Sequence, residues 1–371
     1  MSNLSSIFRN FVVVFYEDSE MNKKVAMLLS GGVDSSVALY LLKEQGYDIT
    51  AYYMKIWLED DAAFLGECPW EEDLEFARAV CEKANVPLKI VNMQTEYLET
   101  VVEYAIGELK QGRTPSPDII CNQQIKFGKF FNKIDDSFDK VASGHYASIE
   151  EKDGLFFLKQ GVDPVKDQTY FLTYLNQKQL GRILIPLGKL LKSEVRQLAK
   201  QFDLPNKARK DSQGICFLGN IRYNDFVKYH LGEQTGNIIE IETGKIIGQH
   251  KGYWFYTIGQ RSGLGLSGGP WYVVGKDTSK NVVYTSHAEN IEEQTRSSFK
   301  LVNLNWITSP INKSEMEIKI RHGATKYPCS IEYLENGELL VTLQEDETGI
   351  APGQYGILYS NSYCLGGGVI A

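Results

Sequence analysis

Short apolar runs alternate with amphipathic ones along the first half of the chain. "KKVAMLLS" is an apolar run stopped by Gly31 and Gly32, which predicts a buried strand. "SSVALYLLKEQG" spaces its apolar residues as a helix does, and Gly46 closes it. "DITAYYMKIW" predicts a strand, "EDLEFARAVCEKAN" a helix and "VPLKIVNM" a strand. "TEYLETVVEYAIGELKQG" predicts a long amphipathic helix capped by Thr95. After a Pro-containing loop come a helix over "NQQIKFGKFFNKI", a strand over "DKVASGHYA" and a helix over "SEVRQLAKQFDL". Such alternation predicts an α/β domain with a mainly parallel sheet, whose ligands sit beyond the carboxyl ends of its strands.

Near residue 220 the pattern changes. Helical periodicity fades, and Gly and Thr become frequent. "GNIIEIETGKIIGQH" predicts a hairpin with "ETGK" at its tip. "PWYVVGKD", "NVVYTS", "EMEIKIRHG", "CSIEYLENGELLVTL" and "ILYSNSYCLGGGVI" are short, strand-like and bounded by turn signals. The last ~150 residues are expected to form one or two small β-rich domains. "CLGGG" predicts a turn or bulge.

Composition narrows the class. The chain has 371 residues, 43% apolar and 23% charged, which fits a water-soluble globular protein of two or three domains. No apolar run approaches the ~18 residues of a membrane span. The six cysteines include no C-x-x-C pair, so neither a zinc ribbon nor a thioredoxin motif is indicated. They point to a reducing compartment, with the cytoplasm expected and an organelle as the alternative. Residues 1–20 lack a cleavable signal and are expected to be a dispensable extension ahead of Met21.

The net charge of −8 argues against a general nucleic-acid binder, but the charge is uneven. Residues 59–75 hold eight acidic side chains and no basic one. Residues 182–210 hold Arg182, Lys189, Lys192, Arg196, Lys200, Lys207, Arg209 and Lys210 against only Glu194 and Asp203. That basic run is either a solvated helix face or a phosphate-contacting surface.

Three motifs carry chemistry. In "LLSGGVDSSVA" a strand feeds a Gly-Gly turn, and Asp-Ser-Ser then opens a helix. Helix-end amides and hydroxyls suit a phosphate, and the Lys and spacing of a Walker loop are absent. "GRTPSPDIICNQQIKFG" stiffens a loop with two prolines before Asp118 and puts Cys121 near the start of the next helix. A helix start lowers a thiol pKa, and Asp118 could move a proton. In "RKDSQGICFLGN" Lys207, Arg209 and Lys210 put positive charge near Cys216. That residue is either a stabilised thiolate or a small core hydrophobe.

The first motif matches the S-G-G-x-D-S-[ST] loop of ATP pyrophosphatases. With "YYMKIW", "GRTPSPDIICNQQIKF", "SGHYA", "VKDQTYFL", "KDSQGICF", "YTIGQRSGLG", "APGQ" and "CLGGGVI", the chain resembles the tRNA-specific 2-thiouridylases from Lys24 to its last residues. The resemblance implies an adenine-nucleotide α-hydrolase-like α/β domain over 21–215, a central β-rich domain over 216–290 and a barrel-like β domain over 291–371. It implies that Leu28, Leu29, Ser30, Gly31, Gly32, Val33, Asp34, Ser35, Met54 and Gly144 contact ATP, used with Mg²⁺. Asp118 would be the acid/base beside the uracil, Cys121 the nucleophile and Cys216 the persulfide carrier, and the two cysteines would end as a disulfide. Ser116, Pro117, Asp118, His145, Lys166, Asp167, Gln168, Arg321, His322 and Gln354 would touch tRNA. No residue is assigned to a resident metal. An outside persulfide donor protein is implied, and no membrane. Ser116 replaces the family's usual Asn, which shortens the reach of its hydrogen bond. The alternative is another ATP-dependent ligase of the same superfamily acting on a small molecule.

Overall fold

The computed structural model describes residues 23–56, 70–211, 222–310 and 316–371. The extension over 1–20, most of the acidic stretch and Cys216 lie outside the described residues.

Strand β1 (Lys24–Leu28) is buried after its first residue and runs through the Gly-Gly turn into α1 (Val33–Glu44). Strand β2 (Asp48–Lys55), α2 (Trp70–Ala84) and β3 (Leu88–Asn92) follow. The long helix is present in three pieces: α3 (Gln94–Tyr97), a widened turn Leu98–Val102 and α4 (Glu103–Lys110). Its capping partner differs from expectation. Asn92 Oδ1 accepts the Gln94 N–H at 2.9 Å, and Thr95 lies inside the helix.

Helix α5 (Pro117–Ile120) continues into a wide turn, Cys121–Lys126, and then a tight one, Lys129–Lys133. The expected helix over 122–134 is broken at Gly128, where a Cβ would lie 2.5 Å from the Gln124 carbonyl. Next come β4 (Lys140–Ala142), β5 (Ala147–Lys152), β6 (Leu155–Gln160), α6 (Thr169–Leu172), α7 (Gln177–Leu180), β7 (Ile183–Leu184) and α8 (Lys192–Gln201).

Five strands form a parallel sheet in the order β3-β2-β1-β4-β7. The chain winds outward from β1 in one direction through β2 and β3, then returns beside β1 with β4. The carboxyl ends of β1 and β4 therefore flank the crevice where such sheets bind ligands.

The change of pattern near 220 does not abolish helix: α9 (Tyr223–Leu231) precedes the β-rich part. Strands β8 (Gly236–Glu240), β9 (Ile246–His250), β10 (Trp271–Asp277) and β11 (Val282–His287) make a sheet in the order β10-β11-β8-β9. The "ETGK" hairpin joins β8 and β9, with Gly244 at φ 70 in its turn.

Strands β12 (Arg296–Trp306), β13 (Met316–Lys319), β14 (Tyr327–Tyr333), β15 (Leu339–Glu347), β16 (Tyr355–Ser360) and β17 (Tyr363–Ile370) pair antiparallel. Pairing of β12 with both β15 and β17 closes them into a barrel. "CLGGG" lies within β17, at a register shift where Gly366 has φ 136. A Cβ there would stand 2.2 Å from the Asn305 carbonyl, and one on Gly367 2.2 Å from the Gly356 carbonyl. The glycines let β12 and β16 close on β17 from both sides.

The hairpin β5–β6 leaves the α/β domain and extends the barrel sheet, pairing Leu158 and Lys159 with Cys364 and Tyr363. One core accordingly runs from Leu28, Tyr52 and Ile119 to Tyr355, Ile357 and Tyr359. A second joins Met93, Val102 and Cys121 to Phe226, Trp254 and Val273. At the first junction a buried ion pair links the domains. Lys319 Nζ lies 2.8 Å from Asp167 Oδ2, with side chains 2% and 4% exposed. Gln160 and Thr169 donate to the same carboxylate at 2.6 and 2.7 Å.

Replacing Lys319 by Met would leave the buried Asp167 without its cation, at a cost of about 3–5 kcal/mol in denaturant unfolding followed by Trp fluorescence. The double variant K319M/D167N should recover much of that. A loss below about 1 kcal/mol for K319M would show that the carboxylate is solvated after all. Burial alone would raise the Asp167 pKa, but the bond and charge of Lys319, with Gln160 and Thr169, hold it below the usual value. A depressed carboxyl stabilises the fold above its unfolded pKa, so this contribution should fade only as pH falls through and below the ordinary carboxylate range.

Candidate active site

The loop after β1 is built for close approach. Gly31 has φ +76, and a Cβ on it would sit 2.2 Å from the Asp73 carbonyl. Gly32 takes extended angles and starts α1, while Ser35 and Ser36 hydroxyls donate back to its carbonyl at 3.1 and 2.9 Å. Ser30 Oγ lies 3.2 Å from Ser35 Oγ and accepts the Gly32 N–H at 3.4 Å. Amides and hydroxyls thus converge at a helix start, an arrangement that fits a phosphate group.

The other residues expected around ATP are brought to the same place. Leu28 pairs with Tyr52 on β2, two residues before Met54. Gly144 follows β4 so closely beneath the loop that a Cβ would lie 2.7 Å from the Ser35 nitrogen. Leu29 donates its N–H to the Tyr52 carbonyl at 2.9 Å, and Val33 opens α1.

Around this loop stands an ionic cluster whose pairing no local pattern reveals. Asp34 Oδ1 accepts from Tyr146 OH at 2.9 Å and from Lys192 Nζ at 2.5 Å. Lys192 also lies 2.8 Å from Asp211 Oδ1, which Arg196 contacts as well, and Lys166 lies 3.2 Å from Asp211 Oδ2. Buried Asn206 donates to the Gly31 carbonyl at 2.7 Å and to Ser36 Oγ at 2.9 Å. Arg209 donates to the same carbonyl at 3.3 Å and pairs with Glu72 and Asp73 at the start of α2.

The basic run is therefore neither one solvated face nor one open phosphate surface. Lys192 turns to Asp34 and Arg209 to the Gly31 carbonyl, while Arg196 meets Asp211 beside them. Arg182 packs on the Phe131 ring at 4.4 Å, and Lys207 pairs with Asp203. The signal that could have found the first three is the run itself, whose residues Lys192 and Arg196 lie in α8 and Arg209 just beyond it.

A second group surrounds Asp118. Pro117 is the first residue of α5, where its fixed φ suits a helix start, and Asp118 is half-buried in the first turn. Buried Ser116 donates its N–H to Tyr104 OH at 3.4 Å. Gln354 Nε2 donates to the Thr114 and Pro115 carbonyls at 3.2 and 3.1 Å, and Thr114 N–H bonds the Pro352 carbonyl at 2.8 Å. The barrel thereby fixes the Asp118 loop. Cys121 differs from expectation. The helix starts at Pro117, so Cys121 ends its first turn, and it is 1% exposed, packed with Met93 and Ile125. The helix-start argument for an acidic thiol loses its basis.

The residues expected to touch tRNA divide. Arg321 is exposed, 3.6 Å from Glu347 Oε1, and His322 stacks on Phe171 at 4.4 Å. His145 Nδ1 lies 2.8 Å from Ser143 Oγ, and burial, aided by Lys126, pushes its pKa down to about 3, so its imidazole is neutral. Lys166 faces Asp211, and Gln168 accepts the Tyr146 N–H at 2.9 Å. Asp167 is buried, and its carboxylate faces Lys319 of the barrel.

A parallel sheet wound about a Ser-Gly-Gly loop defines an ATP-using α/β domain. Family models agree with that class: a tRNA methyl transferase HUP domain matches residues 23–220, a tRNA methyl transferase PRC-barrel domain 224–287 and an Aminomethyltransferase beta-barrel domain 296–370. The chain belongs to the tRNA-specific 2-thiouridylase family. It is 47% identical over 353 residues to tRNA-specific 2-thiouridylase MnmA 1 of Bacteroides thetaiotaomicron, covering 93% of this chain and 99% of that one. It is 45% identical over 356 residues to tRNA-specific 2-thiouridylase MnmA of Parabacteroides distasonis, covering 94% and 98%. Among solved structures, the U34-tRNA thiolase NcsA of Methanococcus maripaludis matches at 20% identity and TM-score 0.33, over 54% of this chain and 64% of that one. The NMN synthetase of Francisella tularensis matches at 17% identity and TM-score 0.36, over 62% and 85%.

Gly31→Ala should lower the affinity for a non-hydrolysable ATP analogue at least tenfold in calorimetric titration, because the loop cannot keep both its φ and its distance from Asp73. Unchanged affinity would remove this loop as the phosphate seat.

Proposed function

We propose that the chain is an ATP-dependent tRNA-uridine 2-sulfurtransferase, which replaces the C2 oxygen of a wobble uridine by sulfur. The observation that carries this is the barrel's clamp on the Asp118 loop, through Gln354 and Pro352, in a chain where β1, the strand leading into the phosphate loop, shares a core with Ile119 next to Asp118. Residues 28–35, Met54 and Gly144 would hold ATP, with Mg²⁺ neutralising its phosphates. Bound there, ATP supplies the AMP leaving group that makes the C2 oxygen displaceable.

The remaining chemistry falls to side chains of this chain. Asp118 orients the flipped-out uracil and exchanges a proton with it. Cys216 carries sulfur as a persulfide, whose terminal sulfur bonds C2 as the oxygen departs with AMP. Cys121 then attacks the Cys216 sulfur, breaking the S–S bond, freeing the thiocarbonyl and leaving a Cys121–Cys216 disulfide. Alternatively, Cys121 first frees the sulfur, which then attacks C2. Either order ends with a disulfide, which an external dithiol must reduce by two electrons. Cys121 has to leave its buried position for either. Arg321 and His322 are the residues best placed to meet tRNA. The persulfide comes from a donor protein, and the site of action is the cytoplasm. No helix among the described residues is long and apolar enough to cross a membrane.

The test is one reaction: purified protein, ATP, Mg²⁺, a persulfide donor and unmodified tRNA, followed by nucleoside mass analysis. A uridine gaining the oxygen-to-sulfur difference, dependent on ATP, is expected, and Cys216→Ser should abolish it while sparing adenylation, read as pyrophosphate release. Thiouridine made by C216S would remove the carrier role. AMP formed on a small acceptor without tRNA would favour the ligase alternative.

A further inference from the structure

Asp211 sits in an unusual place for a carboxylate. Three cations from two separate segments converge on it: Lys166 from the stretch before α6, and Lys192 and Arg196 from the first turns of α8. One of them, Lys192, also holds Asp34, the second residue of the helix that the phosphate loop opens. The cluster is half-buried, with the Lys192 and Asp211 side chains 16% and 28% exposed, so its charges are only partly screened. Asp163 supports it from below. It accepts the Lys192 backbone N–H at 2.7 Å and the Val165 and Lys166 N–H groups at 2.9 and 3.0 Å.

Two ammonium groups and a guanidinium around Asp211, only one of them shared with Asp34, are more cation than these two carboxylates require. The same donor set, at the mouth of a phosphate loop, suits the several oxygens of a phosphoryl chain, for which Arg supplies a planar fork and Lys a point charge. We propose that Lys166, Lys192 and Arg196 form the seat for the terminal phosphates of the nucleotide, and that Asp211 is an internal stand-in for them, displaced when ATP binds. This rests on the ATP-using reading of the loop. Exchanging one anion for another keeps the cluster close to charge balance, which lowers the cost of moving Asp211 out. Burial works against charge on Asp211, but the bonds and charges of Lys192 and Lys166 prevail and hold its pKa below the usual value, so the stand-in is ionised at neutral pH.

The seat predicts a difference between nucleotides, measurable by calorimetry without turnover. Each of Lys192→Gln and Lys166→Gln should weaken binding of a non-hydrolysable ATP analogue with Mg²⁺ at least tenfold and leave AMP binding within about twofold. Asp211→Asn, of the same shape, should tighten the ATP analogue and inorganic pyrophosphate about threefold or more, again sparing AMP. Parallel loss of AMP and ATP binding in the Lys variants would make them structural supports and overturn the proposal. Unchanged or weaker ATP binding in D211N would overturn the stand-in role, since removing an internal competitor should strengthen its rival. If the unaltered chain binds neither nucleotide, the ATP reading itself fails, which is a separate result. Thermal melts of each variant without ligand identify misfolding, and Lys192→Arg, which restores the charge, should recover ATP binding if the seat is real.

Discussion

The buried pair of Asp167 and Lys319 is the constraint on which the rest of the arrangement depends. A carboxylate and an ammonium removed from water tolerate little displacement, because each is costly without the other. Their position is fixed further by Gln160 at the end of the β5–β6 hairpin and by Thr169 at the start of α6. The barrel is therefore held at a defined place against the α/β domain. Gln354 and Pro352 can then grip the Asp118 loop, and His322 can stack on Phe171, whose carbonyl accepts from Asn122 beside Cys121.

Residues 166–168 show how this is done in three steps of chain. Lys166 reaches the ionic cluster at the phosphate loop, Asp167 the barrel, and Gln168 the backbone of Tyr146, whose hydroxyl holds Asp34. Three successive side chains with three different partners cannot shift independently. By its hydrogen bonds this segment joins the phosphate-loop side of the α/β domain to the barrel.

Much of the α/β domain was legible in sequence because its signals are local. An apolar run, two glycines and a helix pattern suffice for β1, the loop and α1, and the hairpins at "ETGK" and "ENGE" carry their own turn chemistry. What escaped was set by distance or by competing signals. The hairpin over 147–160 has Asp153 and Gly154 at its turn, with φ 53 and 75, a signal that was present but unread. Its union with β17, some two hundred residues on, has no local signature at all. Helix α9 was hidden by the Gly- and Thr-rich composition that follows it. Thr95 was read as a cap because Thr commonly is one, but Asn92 stands closer to the first free amide. Cys121 was placed one turn too early because the helix boundary depends on Pro117.

The basic run is the most instructive case, since charge along a sequence says nothing about which charges meet. Arg182 and Lys207 settle into ordinary packing and an exposed pair, whereas Lys192 and Arg209 reach Asp34 and the phosphate loop from different directions and Arg196 meets Asp211 beside them. The cost of bringing three cations together is met by Asp34, Asp211 and Asp73, so each acid near the loop has a partner that a nucleotide would also attract. Carboxylates in this role do two things at once: they keep the cations from repelling one another in the absence of ligand, and they hold them at the height of the helix start. A site assembled only from lysines and arginines would push itself apart before any phosphate arrived. Interleaved acids let these cations gather at one place in a chain whose net charge is −8.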